Sequence, residues 1–248
     1  MASGVCKNGT LVGAARGDLA VGALDGKFGI EVANGETGAL DIVVYSAGKS
    51  KRLRAPGIDI AGAAAVGTQL VAVAGRTRPG GGKLPSLVVL RVGRDGKRVG
   101  SMQVLDTALL GAPAIAFDGD TLYAVWARRA KEGDPYELAY SKWNASAVAP
   151  DPMKKLPTSS SSFAPALAFE GGKALFAWME GDAKRGVVKA GAAASVERAF
   201  ECAVPLSNEG VNARDPEVAL DDHTAFVVWQ ELPGTREELR ATTLECAL

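Results

Sequence analysis

The chain has 248 residues, 47% of them apolar, with 28 Lys and Arg balanced by 28 Asp and Glu. That is enough apolar mass for a sizeable core, and the zero formal charge gives no overall field to attract nucleic acid or anionic lipid. No run of about 18 uninterrupted apolar residues occurs, so no membrane span is read, and one histidine with three scattered cysteines leaves too few ligands for most metal sites.

The opening segment, "MASGVCKNGT", lacks the basic start and apolar run of a secretory signal. The chain is then either cytosolic or an exported protein whose leader has been removed and to which Met1 was added. Asn8 and Asn144 stand in glycosylation sequons. The Ala/Gly-rich composition points to a bacterial chain, in which both are chance matches.

The chain then repeats itself. Trp126, Trp178 and Trp229 are 52 and 51 residues apart, and equal steps back reach Ala74 and Ala23. The four residues before each of these markers are apolar: "LAVG", "LVAV", "LYAV", "ALFA" and "AFVV". Such a run predicts a strand buried on both faces. Ten residues before the marker stand Gly13, Ala64, Ala116, Ala168 and Ala219, small side chains suited to crowded strands. Turn sequences such as "DGDT", "EGGK" and "DDHT" separate the two runs.

A polar loop and a third strand follow each marker: "LDIVVYS", "SLVVLRV", "ELAYSKW", "GVVKAG" and "ELRATTL". "GRDGKR" at 93–98 reads as a turn into a fourth strand, "VGSMQVL". The unit is about 51 residues of four antiparallel strands, and five units predict an all-β fold, a five-bladed β-propeller. An open β-solenoid is the alternative architecture. The blades run approximately 9–58, 59–110, 111–161, 162–212 and 213–248 within one domain, 1–248. The last unit ends after its third strand, so residues 2–8 are expected to supply its fourth and close the ring. Cys6 would then lie near Cys246, where a disulfide would constrain nearly the whole chain. The alternative is that Cys6, Cys202 and Cys246 are buried free thiols.

The pattern Pro-x-apolar-Ala, a turn, then an apolar run ending in Trp resembles the tandem propeller repeats of exported bacterial proteins, a group similar to the broad sialidase-like propellers. The resemblance covers the whole chain and is strongest over 112–248. It implies export and a ligand-binding loop face. It does not imply glycosidase chemistry: no Ser-x-Asp-x-Gly-x-Thr-Trp box occurs, and the arginine cluster and Tyr/Glu pair of sialidases have no counterparts.

The chemistry-bearing residues are few. His223 sits in the turn "DDHT", away from the expected ligand face, which argues against a Ser-His or Cys-His nucleophile. "RPGGGK" at 78–83 fails the phosphate-loop spacing, because Thr77 stands where its first glycine should be. "SSSS" at 159–162 reads as a polar linker between blades.

One column is more suggestive. Two residues after the marker come Asp25, Arg76, Arg128, Glu180 and Glu231, all charged and all opening the loops of one face. Arg129 and Asp215 join them. Each could simply be a buried strand ending in a charge where it reaches water; the sharper reading is a mixed-charge rim for a polar or zwitterionic ligand. Tyr136, Tyr140 and Trp143 are candidate exposed platforms, or else edge packing.

The expected function is therefore a non-enzymatic, extracytoplasmic binding or protein-interaction module that takes a protein, polar or glycan ligand on its loop face. The alternative is a lectin-like or degenerate glycosidase-type propeller. No cofactor, metal or nucleic-acid partner is expected.

Overall fold

The computed structural model describes residues 19–22, 28–34, 39–77, 83–144, 147–158, 160–182, 184–208, 210–221, 224–233 and 236–244. The chain divides into two compact units, one of residues 1–107 and 144–150, the other of 108–143 and 151–248.

The first unit holds two four-stranded sheets in which consecutive strands are neighbours. One comprises β1 (Leu19–Gly22), β2 (Phe28–Asn34), β3 (Ala39–Ser46) and β4 (Lys49–Pro56). The other comprises β5 (Ile60–Val66), β6 (Leu70–Arg76), β7 (Ser86–Gly93) and β8 (Gln103–Thr107). Phe28, Ile30 and Val32 of β2 alternate inward and meet Ile42 and Val44 of β3 and Val71, Val73, Val88 and Leu90 of the second sheet. The two-residue period puts one face of each strand into this core.

The second unit has three sheets in the same serial order. The third sheet is β9 (Leu109–Asp118), β10 (Thr121–Arg129), β11 (Glu137–Asn144) and β12 (Lys154–Leu156). The fourth is β13 (Ser162–Glu170), β14 (Lys173–Asp182), β15 (Arg185–Ala193) and, after a short helix α1 (Val196–Glu201), β16 (Val204–Pro205). The fifth is β17 (Asn212–Leu220), β18 (Ala225–Leu232) and β19 (Glu238–Leu244), three strands among the described residues. The first strands β9, β13 and β17 stand side by side, so the sheets stack face to face.

That stacking explains the uninterrupted apolar runs. In β14, Ala174, Phe176 and Trp178 pack toward Val125, Leu138 and Tyr140 of the third sheet. The intervening Leu175 and Ala177 pack toward Val227 and Trp229 of the fifth. The markers Ala74, Trp126, Trp178 and Trp229 all lie on second strands and are buried. Truncating one of these Trp to Ala would cost about 3–5 kcal/mol.

The Pro-x-apolar-Ala motif has a specific job. In β9 the ladder slips just before Pro113, which pairs with Trp126, and in β13 and β17 it slips at the proline itself, opposite Trp178 and Trp229. In the last two the residue before the proline takes a left-handed backbone, φ 42° at Ala164 and φ 50° at Asp215. Proline has no N–H to lose from the ladder, so it fits a bulge.

The first repeat departs from the expected register. Among the described residues Leu19–Gly22, read as a second strand, comes first in its sheet, and β2, read as loop, is a strand paired with it and with β3. The fourth strand after "GRDGKR" begins at Gln103, with Arg98 making only an isolated bridge to Val92. Helix α1 was not anticipated. Ser195 caps it by accepting from Arg198 N at 3.2 Å. It seats on β15 at Gly191, where any Cβ would collide with the Ala199 carbonyl. Residues 2–8, Gly13, Ala23, Cys6, Cys246 and His223 lie outside the described residues, and with them the expected ring closure and disulfide. Cys202 is described as an exposed free thiol, not a buried one.

Candidate functional site

Arg128, Glu180 and Glu231 occupy one strand end of three successive sheets of the second unit, and each meets an opposite charge on the third strand of its own sheet. Arg128 Nη1 donates to Glu137 Oε1 at 2.5 Å. Glu180 pairs with Lys189. Glu231 accepts from Trp229 Nε1 at 2.9 Å and from Arg240 Nε at 3.1 Å. Glu180 and Glu231 are buried, so the pairing offsets the cost of taking a carboxylate out of water. In each case the partner lies nine residues later and carries the opposite sign. This is the signal that sequence reading missed.

The other residues of the expected rim scatter. Arg76 ends β6 in the first unit, half-buried, its carbonyl accepting from Asp59 N at 3.0 Å. Asp25 lies outside the described residues. Asp215 is exposed on the β17 bulge, 3.8 Å from Arg214. Tyr140 and Trp143 are buried, 2% exposed each, and so are not open platforms. The Tyr140 hydroxyl donates to Glu197 and pins α1 against the third sheet. Burial, and then that bond, push its pKa well above the ordinary value.

Around Arg128 the structure builds a site. A cleft of about 420 Å³ opens between the start of β11 and the segment after β12, lined by Tyr136, Glu137, Lys155, Leu156, Thr158 and Ser160. That volume suits a small ligand or a short stretch of a longer one. Tyr136 is fixed through its backbone: its N–H donates to Ser161 Oγ at 2.9 Å, and its carbonyl accepts from Ser162 N at 2.9 Å. The ring lies 4.9 Å from that of Phe163 and under the Arg129 guanidinium at 4.8 Å. "SSSS" is thus no slack linker, since Ser161 and Ser162 hold the aromatic wall and Ser162 is fully buried.

Glu137 is held by two cations: Arg128 Nη1 and Lys155 Nζ both meet Oε1, at 2.5 and 2.8 Å, and Lys155 Nζ also reaches Oε2 at 3.1 Å. Burial alone would raise its pKa, but hydrogen bonds from Lys155 and Arg128 outweigh that and hold the carboxyl below its usual value. The cleft therefore presents an aromatic ring, two hydroxyls and a net positive cluster around one neutralised carboxylate. A carboxylate so held is a poor proton donor near neutrality, and the cleft lining offers no second one.

No protein-family model and no curated protein matches the sequence. Solved structures do match in fold. The acylaminoacyl peptidase of Pyrococcus horikoshii aligns at TM-score 0.60 with 9% identity, over 93% of this chain and 38% of that one. The β-propeller domain of the Trilobed protease from Pyrococcus furiosus, described as having an open velcro topology, aligns at 0.60 with 10% identity, over 92% and 68%. The sialidase of Trypanosoma rangeli, solved with sialic acid, aligns at 0.55 with 11% identity, over 79% and 38%. The chain spans less than two fifths of the peptidase and of the sialidase. At such identities the likeness shows the fold alone: an all-β chain of the β-propeller kind.

Among the described residues no helix is long and apolar enough to cross a membrane.

Proposed function

We propose that the chain is a non-enzymatic binding module whose ligand site is the cleft at Tyr136. The observation that carries this reading is the state of Glu137, ionised and held between Arg128 and Lys155. In the three sheets of the second unit, the charged column is engaged in cross-strand pairs. What remains for a ligand is the ring, the hydroxyls of Thr158 and Ser160, and the positive surround. That set suits a polar ligand, a glycan or an acidic protein segment.

In the same proposal the five sheets are the blades of one closed propeller domain, with residues 2–8 adding the fourth strand to the fifth sheet. The module acts outside the cytoplasm. The serial order of five sheets and their side-by-side first strands in the second unit support the blade count. A closed ring would also explain why the fifth sheet alone has three described strands.

A second reading, a lectin-like or degenerate glycosidase-type propeller, is favoured by the aromatic wall beside two hydroxyls, a common arrangement for a sugar face. A panel of glycosidase and esterase substrates tests the two together, run with wild type and with Glu137→Gln, Glu180→Gln and Glu231→Gln. No turnover by any form supports the binding module. Turnover lost in any one variant, with its fold intact, overturns it.

A further inference from the structure

The neutral chain is not neutral in its parts. The first unit carries 14 Lys and Arg against 8 Asp and Glu, a formal +6, and the second carries 14 against 20, a formal −6. Much of the excess of the first unit is gathered in one place. β4 reads "KSKRLRAP", with Lys49, Lys51, Arg52 and Arg54 exposed along the outer strand of its sheet. The hairpin after β7 lies against it: a Cβ at Gly96 would collide with the Lys51 side chain. That contact places exposed Lys97 and Arg98 beside the strand. On the hairpin the acid is Asp95, 3.7 Å from Lys97 with both side chains mostly in water, an arrangement that neutralises little; on the other side of β4, Asp41 stands opposite Arg54, and Glu31 and Arg52 both lie near Tyr45. Lys49, Lys51 and Arg52 make no ion pair among the described residues.

We infer that this edge, Lys49, Lys51 and Arg52 with Lys97 and Arg98, binds a linear acidic polysaccharide. Alternate residues of a strand are about 6.8 Å apart on one face, so Lys49 and Lys51 step along the side nearest the hairpin and Arg52 and Arg54 along the other, which sets cations on both sides of one edge for an extended chain of repeated negative charge. Edge lysines also guard a strand against pairing with other sheets. That purpose does not require the further cations on a separate hairpin. The surround argues against other polyanions. Among the described residues the aromatic ring beside the patch is Tyr45, partly buried and with its hydroxyl held by Glu31, which is a poorer stacking platform than single-stranded nucleic acid binding uses. No large apolar side chain of the patch is exposed to enter a lipid surface or anchor a protein interface.

The test uses polygalacturonate as the acidic probe, with neutral dextran, oligo-dT and phosphatidylserine vesicles alongside, at stepped salt concentrations. Wild type should bind polygalacturonate and not dextran, with affinity falling steeply as salt rises. Lys49→Glu/Lys51→Glu/Lys97→Glu should weaken binding at least about tenfold, and Arg52→Gln/Arg98→Gln should weaken it in the same direction. Lys131→Glu/Lys173→Glu/Lys184→Glu, which changes net charge equally in the second unit, should leave it unchanged. Thermal melts of every variant exclude misfolding. No binding to polygalacturonate, equal loss in the second-unit variant, or tighter binding to oligo-dT or vesicles would each overturn the proposal.

Discussion

Arg128 and Glu137 meet at 2.5 Å across the strand ends of one sheet, with side chains only 15% and 32% exposed. Together with Lys155 they turn what looked like part of an open charged rim into a fixed wall of the cleft. Glu137→Gln should remove this carboxylate from the largely buried Arg128 guanidinium and from Lys155. The expected loss is about 1–2 kcal/mol of unfolding free energy at neutral pH, read by urea titration.

The same carboxyl sets a pH dependence. Its folded pKa is depressed, so its contribution is fully present above the unfolded value of about 4.3 and is lost as pH falls through the lower folded value. Stability of wild type and Glu137→Gln should differ at pH 6 and converge on acidification toward pH 2. A gap that widens in acid would refute the assignment.

The bulge opposite Trp178 gives a contrast between two substitutions at one position. Ala164 has φ 42°, which a β-branched side chain tolerates badly. Ala164→Val should cost about 1–2 kcal/mol, whereas Ala164→Gly should be close to neutral because relieved strain offsets the added freedom of the unfolded chain. Denaturant midpoints of the pair decide it.

Helix α1 should report on the packing behind the fourth sheet. Gly191→Ala forces a methyl into the Ala199 carbonyl, so either α1 lifts or β15 shifts. A loss of about 2 kcal/mol or more is expected, and amide exchange of 196–201 should rise more than that of β14.

The sequence made the second strands of the last four repeats legible because burial on both faces forces an unbroken apolar run, as in "ALFAWM" of β14. The first repeat defeated the reading. A strand, β2, stands in the stretch read as loop before β3, so a fixed step of 51 misplaced the described strands there, and the repeat has no Trp to correct the register. β4 was invisible for another reason: an exposed outer strand feels no demand for apolar residues, and "KSKRLR" resembles a loop.

The candidate site was half legible. Arg129 and Tyr136 were both singled out, and the Arg129 guanidinium lies over the Tyr136 ring. The pairing of the charged column in the second unit was not legible, because it is decided by a residue nine positions on rather than by the column itself. Ser161 and Ser162 were hidden by low complexity, since four serines in a row signal polarity but not which hydroxyl or N–H meets Tyr136.

The central claim, that the cleft at Tyr136 is a non-catalytic ligand site, is tested most directly by one paired measurement. Wild type and Tyr136→Ala are applied to the same glycan and peptide array, and the ligands bound are recovered and checked for cleavage. The account predicts ligands held by wild type, lost at least about tenfold in Tyr136→Ala as one aromatic contact is removed, and recovered intact. Ligands held equally by both proteins, or recovered cleaved, would contradict it.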